Sequence, residues 1–410
     1  MIEFRDYQKN IISKGLGVLK EHRFLYLAME VRTGKTLTSL GICNYLNVKN
    51  VLFITKKKAI SSIEKDFEMY NSDFNLQVIN YESLHKIPKK GWDVIICDEA
   101  HSMGAFPKPN GRAKKVKDLV FWNNPYVILL SGTPTPEAYS QMYHQVYFIP
   151  NNPFKEHRNF YNFASRYVSV IKKKIGGLYI NDYSKGNTNI IEHMKPYTIS
   201  FSQKEAGFVV STNEHILEVD LKKETIDLIS KLKKDLVVEG KDEVILADTA
   251  VKLMTKVHQL CSGTIKFESG NSMVIDLSKA KFIKNKFKKM KIGIFYKFKE
   301  ELNALKEVFG DSLCTTLEEF DGTDKNIALQ IVSGREGISL RKANALVYYN
   351  IDFSATSYWQ SRDRMTTKDR LKNEIYWIFS KKGIEKEIYK AVIKKKDYTL
   401  RHFKKDLLNL

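Results

Sequence analysis

Residues Phe24 to Thr36 read FLYLAMEVRTGKT, an apolar run followed by a Gly-containing loop, and apolar positions at helical spacing follow from Leu37 to Leu46. The apolar run Phe24 to Ala28 suits a buried parallel strand. A helix that opens directly after such a loop aims its first N–H groups at an anion. Strand, loop and helix in this order therefore ask for a parallel sheet with an anion at its edge. A phosphate-binding loop reads G-x-x-x-x-G-K-[ST]; its glycines let backbone N–H groups close around the β-phosphate, while the lysine and hydroxyl reach the γ-phosphate and Mg2+. Gly34, Lys35 and Thr36 satisfy its last three positions, and Met29 stands where the first glycine is expected.

The alternation continues. VLFIT (Val51 to Thr55), LQVINY (Leu76 to Tyr81), DVIICDEA (Asp93 to Ala100) and YVILLSG (Tyr126 to Gly132) are short apolar runs separated by polar helical stretches. This pattern predicts an α/β fold, a parallel sheet covered by helices. DEAH, Asp98 to His101, follows the apolar run VIIC and places a carboxylate at the end of a strand expected to neighbour the phosphate loop. Such a carboxylate suits Mg2+, and an adjacent glutamate suits the polarisation of an attacking water. Asp98 is thus assigned to the metal and Glu99 to the base. SGTP, Ser131 to Pro134, follows the next strand.

From about Asn151 to Lys204 the pattern weakens and becomes aromatic and basic. Within it, Tyr167 to Ile171 and Leu178 to Ile180 flank KKKIGG, which predicts a β-hairpin turning at Gly176 and Gly177. Its lysines and Tyr179 suit either a wedge on duplex nucleic acid near a junction or a surface hairpin with no such role. Leu221 to Cys261 has helical period. KIGIFY (Lys291 to Tyr296), IALQIVS (Ile327 to Ser333) and ALVYYNID (Ala345 to Asp352) restart the strand pattern, and Gly383 to Leu410 reads as a lysine-rich amphipathic helix.

A chain of 410 residues can hold two or three domains. Its formal charge of +20 makes a polyanion the first partner to consider. Cys43, Cys97, Cys261 and Cys314 are too scattered for zinc or a disulfide framework and are expected as buried thiols of a reduced cytosol. No run approaches a membrane span and MIEFRDYQ lacks the regions of a signal peptide, so a cytoplasmic protein without a membrane partner is expected.

Together these motifs resemble those of superfamily 2 helicases and, more closely, of Swi/Snf-type remodeller ATPases. Arg5, Asp6, Tyr7 and Gln8 look like the adenine-reading Q motif. Ile54 to Tyr70 and Ile79 to Leu84 resemble two nucleic-acid-binding motifs. Lys291 to Leu305, SGREGISL (Ser333 to Leu340) and YWQSRDR (Tyr358 to Arg364) fall where motifs IV, V and VI belong, and Ile384 to Lys396 is similar to the helix that closes remodeller motors.

The resemblance implies two RecA-like lobes, each a mainly parallel sheet flanked by helices, with nucleotide in the cleft between them. Residues 1–204 would be the ATP-binding lobe, and 205–410 a second lobe with a helical insertion at 221–263 and the closing helix. It implies ATP and Mg2+ as ligands, bound by Arg5, Gln8, Arg32, Thr33, Gly34, Lys35, Thr36 and Gly337, with Thr36 and Asp98 at the metal. Catalysis would rest on Lys35, Asp98, Glu99, Gln360 and Arg364. Thr55, Lys56, Lys57 and Ser83 on the first lobe, and Lys297, Ser333 and Arg335 on the second, would hold the polynucleotide backbone.

Two departures stand out. The second arginine of motif VI is replaced by Thr367, so Lys368 or Arg370 must substitute for it or Arg364 must act alone. The stretch from Val308 to Asn326 leaves room for little beyond a strand and a turn. The implied function is that of a minimal ATP-dependent DNA translocase or helicase of phage or bacterial type, monomeric on duplex or branched DNA. An RNA helicase and a nucleic-acid-binding nucleotide switch with little hydrolysis are the alternatives.

Overall fold

The computed structural model describes residues 3–175, 178–208, 210–240, 243–334, 338–367, 370–381 and 383–396. The chain divides after Gly207 into a first lobe and a second lobe that runs from Phe208 to Lys394.

The first lobe carries β1 (Phe24–Met29), β2 (Asn50–Thr55), β3 (Asn75–Asn80), β4 (Val94–Cys97), β5 (Tyr126–Leu130), the strands β6 (Ile171–Ile175) and β7 (Leu178–Asp182), and β8 (Thr198–Phe201). Six of them form one parallel sheet in the order β3-β2-β4-β5-β1-β8. Successive side chains of a strand point to opposite faces, and both faces here are apolar. Phe24, Tyr26, Leu52, Ile54, Ile95, Cys97, Val127 and Leu129 pack on one side, while Leu25, Leu27, Val51, Phe53, Val94, Ile96, Ile128 and Leu130 pack on the other. Continuous burial explains why the strands read as unbroken apolar runs.

The weakly patterned stretch after Asn151 contributes an aromatic layer. Phe154, Phe160, Phe163 and Tyr167 join the first of these clusters, with Phe163 and Tyr167 ring centroids 5.1 Å apart. Strands β6 and β7 pair antiparallel with Ile175 opposite Leu178. The lysine run thus lies within β6 rather than in the turn, Tyr167 ends the helix Phe160–Tyr167, and the expected turn at Gly176 and Gly177 is outside the described residues. Strand order corrects one further expectation: β5 lies between β1 and β4, so Asp98 follows the next strand but one from the phosphate loop.

The second lobe adds β9 (Ser211–Val219), β10 (Val237–Glu239), β11 (Val244–Leu246), β12 (Thr264–Lys266), β13 (Ser272–Val274), β14 (Ile292–Tyr296), β15 (Leu313–Cys314), β16 (Asn326–Gln330), β17 (Ala345–Tyr348) and β18 (Lys372–Ser380). Its sheet is also parallel, in the order β15-β16-β14-β17-β18-β9. Phe295, Leu346, Tyr348 and Trp377 face one core, and Ile292, Ile294, Val347 and Ile378 the other. The expected helical insertion is mixed: helices Lys223–Asp235 and Ala250–Cys261 are joined by the antiparallel ribbon β10-β11 and followed by β12-β13. Between Val308 and Asn326 the short strand β15 is joined by a helix, Leu317–Gly322, whose Phe320 is buried, so this stretch holds more than a strand and a turn. The terminal amphipathic helix spans Glu385–Lys396. All four cysteines are buried free thiols. Among the described residues no helix is long and apolar enough to cross a membrane.

Candidate active site

The phosphate loop leaves β1 at the carboxyl edge of the sheet, where parallel α/β sheets bind ligands. Met29 is the last residue of β1 and is fully buried, so the loop proper runs from Glu30 to Gly34. Gly34 is the N-cap of helix Lys35–Tyr45 and has φ +83°, a conformation L side chains avoid. A Cβ there would also lie 2.5 Å from Gln8 Nε2. Arg32 has φ 64°, and Thr33, fully buried, donates through Oγ1 to the Glu30 carbonyl at 2.7 Å. Lys35 Nζ donates to the same carbonyl at 3.3 Å. Thr36 lies in the first turn of the helix, where its hydroxyl belongs in a nucleotide site.

Asp98 and Glu99 stand together after β4. Thr55 Oγ1 donates to Asp98 Oδ2 at 2.8 Å, and Tyr81 Oη donates to the Asp98 carbonyl at 2.7 Å. Burial, and then the neighbouring Glu99 charge, push the Asp98 carboxyl up to about 6, against the pull of Lys35 and the Thr55 hydroxyl. Glu99 has φ 51°, a left-handed conformation that costs a non-glycine residue about 1–2 kcal/mol. That backbone turn swings the next residues back: His101 Nδ1 lies 3.2 Å from Glu99 Oε2 and 3.0 Å from Ser131 Oγ. Ser131 Oγ also accepts from the Thr133 N–H at 3.1 Å. Beneath them, Tyr26 Oη donates to Gln145 Oε1 at 2.8 Å, and Gln145 Nε2 donates to the Pro134 carbonyl at 2.8 Å. The DEAH and SGTP segments, which follow β4 and β5, thus meet the loop along one edge of the sheet.

The arrangement fits a magnesium nucleotide. A loop with a left-handed glycine before a helix N-terminus offers N–H groups to phosphate, and a buried carboxylate whose pKa is raised by its neighbour gains from a cation. Among the described residues no three His, Cys, Asp or Glu side chains cluster as a metal site of their own. Thr36 and Asp98 are the residues here that could hold Mg2+ together with phosphate oxygens.

The other sequence-derived residues are placed as follows. Gln8 is buried in helix Asp6–His22; its Oε1 accepts from the Arg5 N–H at 3.1 Å and its Nε2 lies 3.5 Å from the Gly34 carbonyl, while exposed Arg5 donates to Tyr7 Oη. Thr55, expected to face polynucleotide, is fully buried, and its hydroxyl is committed to Asp98. Lys56 and Lys57 lead the short helical turn Lys57–Ala59, and Ser83 sits in the turn Tyr81–Lys86, its N–H donating to Asn80 Oδ1.

In the second lobe, Lys297 is bound to Asp352 at 2.6 Å rather than presented to solvent, and Ser357 Oγ donates to the other oxygen of Asp352. Gln360 is buried on helix Ala355–Arg362. Arg364 donates through Nε to the Gln360 carbonyl at 2.7 Å and through Nη1 to the Ile338 carbonyl at 3.3 Å. Arg370 donates to the carbonyls of Lys372, Arg341, Ala343 and Asn344. These bonds tie Arg370 to the backbone of its own lobe. The Ser333 side chain and residues Arg335, Gly337 and Lys368 are outside the described residues.

A model of the SNF2-related domain family matches residues 46–265, more than half of the chain, and one of the Type III restriction enzyme res subunit matches residues 1–74. No curated protein sequence matches. Two solved structures from Sulfolobus solfataricus are similar: a SWI2/SNF2 ATPase core in complex with dsDNA, at 16% identity, covering 97% of this chain and 92% of that one, with TM-score 0.44; and the SWI2/SNF2 ATPase core domain, at 16% identity, covering 97% and 90%, with TM-score 0.42. With this assembly of motifs and two parallel sheets flanked by helices, one in each lobe, the chain belongs to the SNF2-related domain family.

Proposed function

We propose that the chain hydrolyses ATP in response to DNA and uses the hydrolysis to translocate on it. The observation that carries this reading is the meeting of Lys35, Asp98, Glu99 and His101 at one sheet edge, beside a loop whose Gly34 has φ +83°, a conformation that other residues avoid. Lys35 would exchange the Glu30 carbonyl for the phosphates, Asp98 and Thr36 would hold Mg2+, and Glu99 would orient water for in-line attack. The bound metal supplies charge neutralisation at the phosphate oxygens. Arg364 is the second lobe's candidate for added charge on the γ-phosphate. The first lobe up to about residue 204 is the nucleotide-binding domain of this reading, and the formal charge of +20 favours a polyanionic track. The strands β6 and β7 form a candidate grip on duplex or branched DNA.

A nucleotide switch with little turnover is the second reading. It is favoured by Arg362 and Arg370, which are engaged by Glu214 and by backbone carbonyls within their own lobe. ATP turnover is to be measured with duplex, single-stranded and forked DNA and with RNA, for the natural protein and Lys35→Ala. Duplex DNA is expected to stimulate most, and Lys35→Ala to lose about 10³-fold. Stimulated turnover retained by Lys35→Ala overturns the site, and background turnover of the natural protein with every polynucleotide supports the switch.

A further inference from the structure

The start of the phosphate loop is gripped by the end of the first lobe. The Gln203 N–H donates to Glu30 Oε2 at 2.7 Å, and Gln203 Nε2 donates to the Val31 carbonyl at 3.0 Å. The Glu30 N–H in turn donates to the Phe201 carbonyl at 2.9 Å, extending the β1-β8 ladder in which Met29 is opposite Phe201. Phe201 also stacks on Tyr7, ring centroids 4.7 Å apart, and Tyr7 Oη donates to the Thr33 carbonyl at 3.2 Å. Residues 201–203 therefore hold the loop at Glu30 and Val31 directly and at Thr33 through Tyr7. The first glycine of the usual loop motif is absent, and its position is instead a buried strand residue with this clasp beside it.

Gln203 is also close to where the chain leaves the lobe. Glu205 Oε2 accepts from the Ser202 N–H at 2.6 Å and from Ser202 Oγ at 2.5 Å, which closes a tight turn. Gly207, the last residue of the first lobe, has φ +82° and open space around it. A glycine in that conformation, at the end of a braced turn, leaves the backbone free to turn where the chain passes into the second lobe. At the other end of the clasp, the residue whose carboxylate receives the Gln203 N–H is the one whose carbonyl receives Lys35 Nζ. When Lys35 turns to a phosphate, Glu30 loses that donor.

We propose that Gln203 is a positioning residue: with Glu30 it links the phosphate loop to the segment leading into the second lobe, so that nucleotide and polynucleotide binding are coupled through it. The proposal rests on the DNA-dependent ATPase reading. Coupling between two ligands is the ratio of one ligand's affinity with and without the other. A substitution that only weakens the fold of the loop lowers both affinities and leaves the ratio alone; loss of the clasp lowers the ratio.

The test measures the affinity of a non-hydrolysable ATP analogue with and without saturating duplex DNA. It uses the full chain and Gln203→Leu, Glu30→Ala and Glu30→Gln. Gln203→Leu removes the bond to Val31, and Glu30→Ala removes the acceptor of the Gln203 N–H. Each is expected to reduce the coupling ratio about 3- to 10-fold. Glu30→Gln keeps an acceptor oxygen and is expected to hold the ratio within about 2-fold of the natural protein. A ratio unchanged in both Gln203→Leu and Glu30→Ala overturns the proposal, as does a natural protein that binds both ligands with a ratio of one. A natural protein that binds no nucleotide at all sinks the functional reading on which the proposal stands.

Discussion

At the carboxyl edge of the first lobe, Asp98 and Glu99 are adjacent, and burial with mutual repulsion raises the pKa of Asp98 to about 6 despite Lys35. In the second lobe, charged side chains meet opposite charge at close range: Lys297 with Asp352 at 2.6 Å, Arg362 with Glu214 at 2.9 Å, and Lys279, on the helix Ser278–Lys286, with Glu385 at 2.7 Å. Glu214 also accepts from Tyr358, Trp377 and Tyr389, binding β9, the motif VI helix, β18 and the terminal helix together. At these positions the two lobes thus manage charge differently. In the first, adjacent carboxylates repel one another, a repulsion that a magnesium nucleotide would relieve; in the second, these charges meet opposite charge within the lobe and gain a fixed frame. The difference teaches that a cluster of like charge marks a site that gains from a ligand, whereas matched pairs mark support.

The largest expected effect that could break this contrast is at Glu99. Glu99→Gln is expected to lower turnover about 10²- to 10⁴-fold while a fluorescent ATP analogue still binds; turnover within 10-fold of the natural protein would place the base elsewhere. In the second lobe the same kind of change should be felt in stability. Lys279→Met strands the Glu385 carboxylate, whose pKa Lys279 holds below the usual range against burial. It is expected to cost about 3–5 kcal/mol in denaturant unfolding, whereas Lys279→Met with Glu385→Leu recovers most of that loss. Equal losses in the single and double variants would show that the pair is not self-contained.

Arg370→Ala sharpens the comparison further. By removing a donor to four carbonyls it is expected to lose about 1–3 kcal/mol of stability while the folded enzyme keeps turnover within about 2-fold. Arg364→Ala should do the reverse. The smallest effect is that of pH. Because the ionised Asp98 binds the cation, activity at limiting Mg2+ is expected to fall as pH drops through about 6, and added Mg2+ should move the fall to lower pH. The same raised pKa means that the ionised carboxylate costs the fold stability above pH 6 and not below its ordinary unfolded value. Asp98→Asn is accordingly expected to melt a few degrees higher at neutral pH in the absence of nucleotide.

Strands whose two faces are apolar were legible as runs, as were the motifs at their ends, because both the pattern and the chemistry are local. β8 was not legible: it is four residues long, and only its pairing with β1 across most of the lobe makes it a strand. β9 and the start of β18 were hidden by polar residues that satisfy one another, His215 with Glu374 at 2.6 Å and Asn213 with the same carboxylate. The roles of Thr55 and Lys297 were obscured for a related reason. Their partners, Asp98 and Asp352, lie far along the chain, and a hydroxyl or lysine after a strand looks alike whether it faces a ligand or a buried carboxylate. Gln203 offered no motif at all.

Gly34 has a consequence for genetics. A side chain there meets two separate obstacles, the Gln8 amide at 2.5 Å and a φ of +83°. Inactive Gly34→Ala strains should therefore yield suppressors at position 8, where a shorter residue opens the space. Those suppressors should all be partial, since no change at a neighbour makes a left-handed backbone comfortable for alanine.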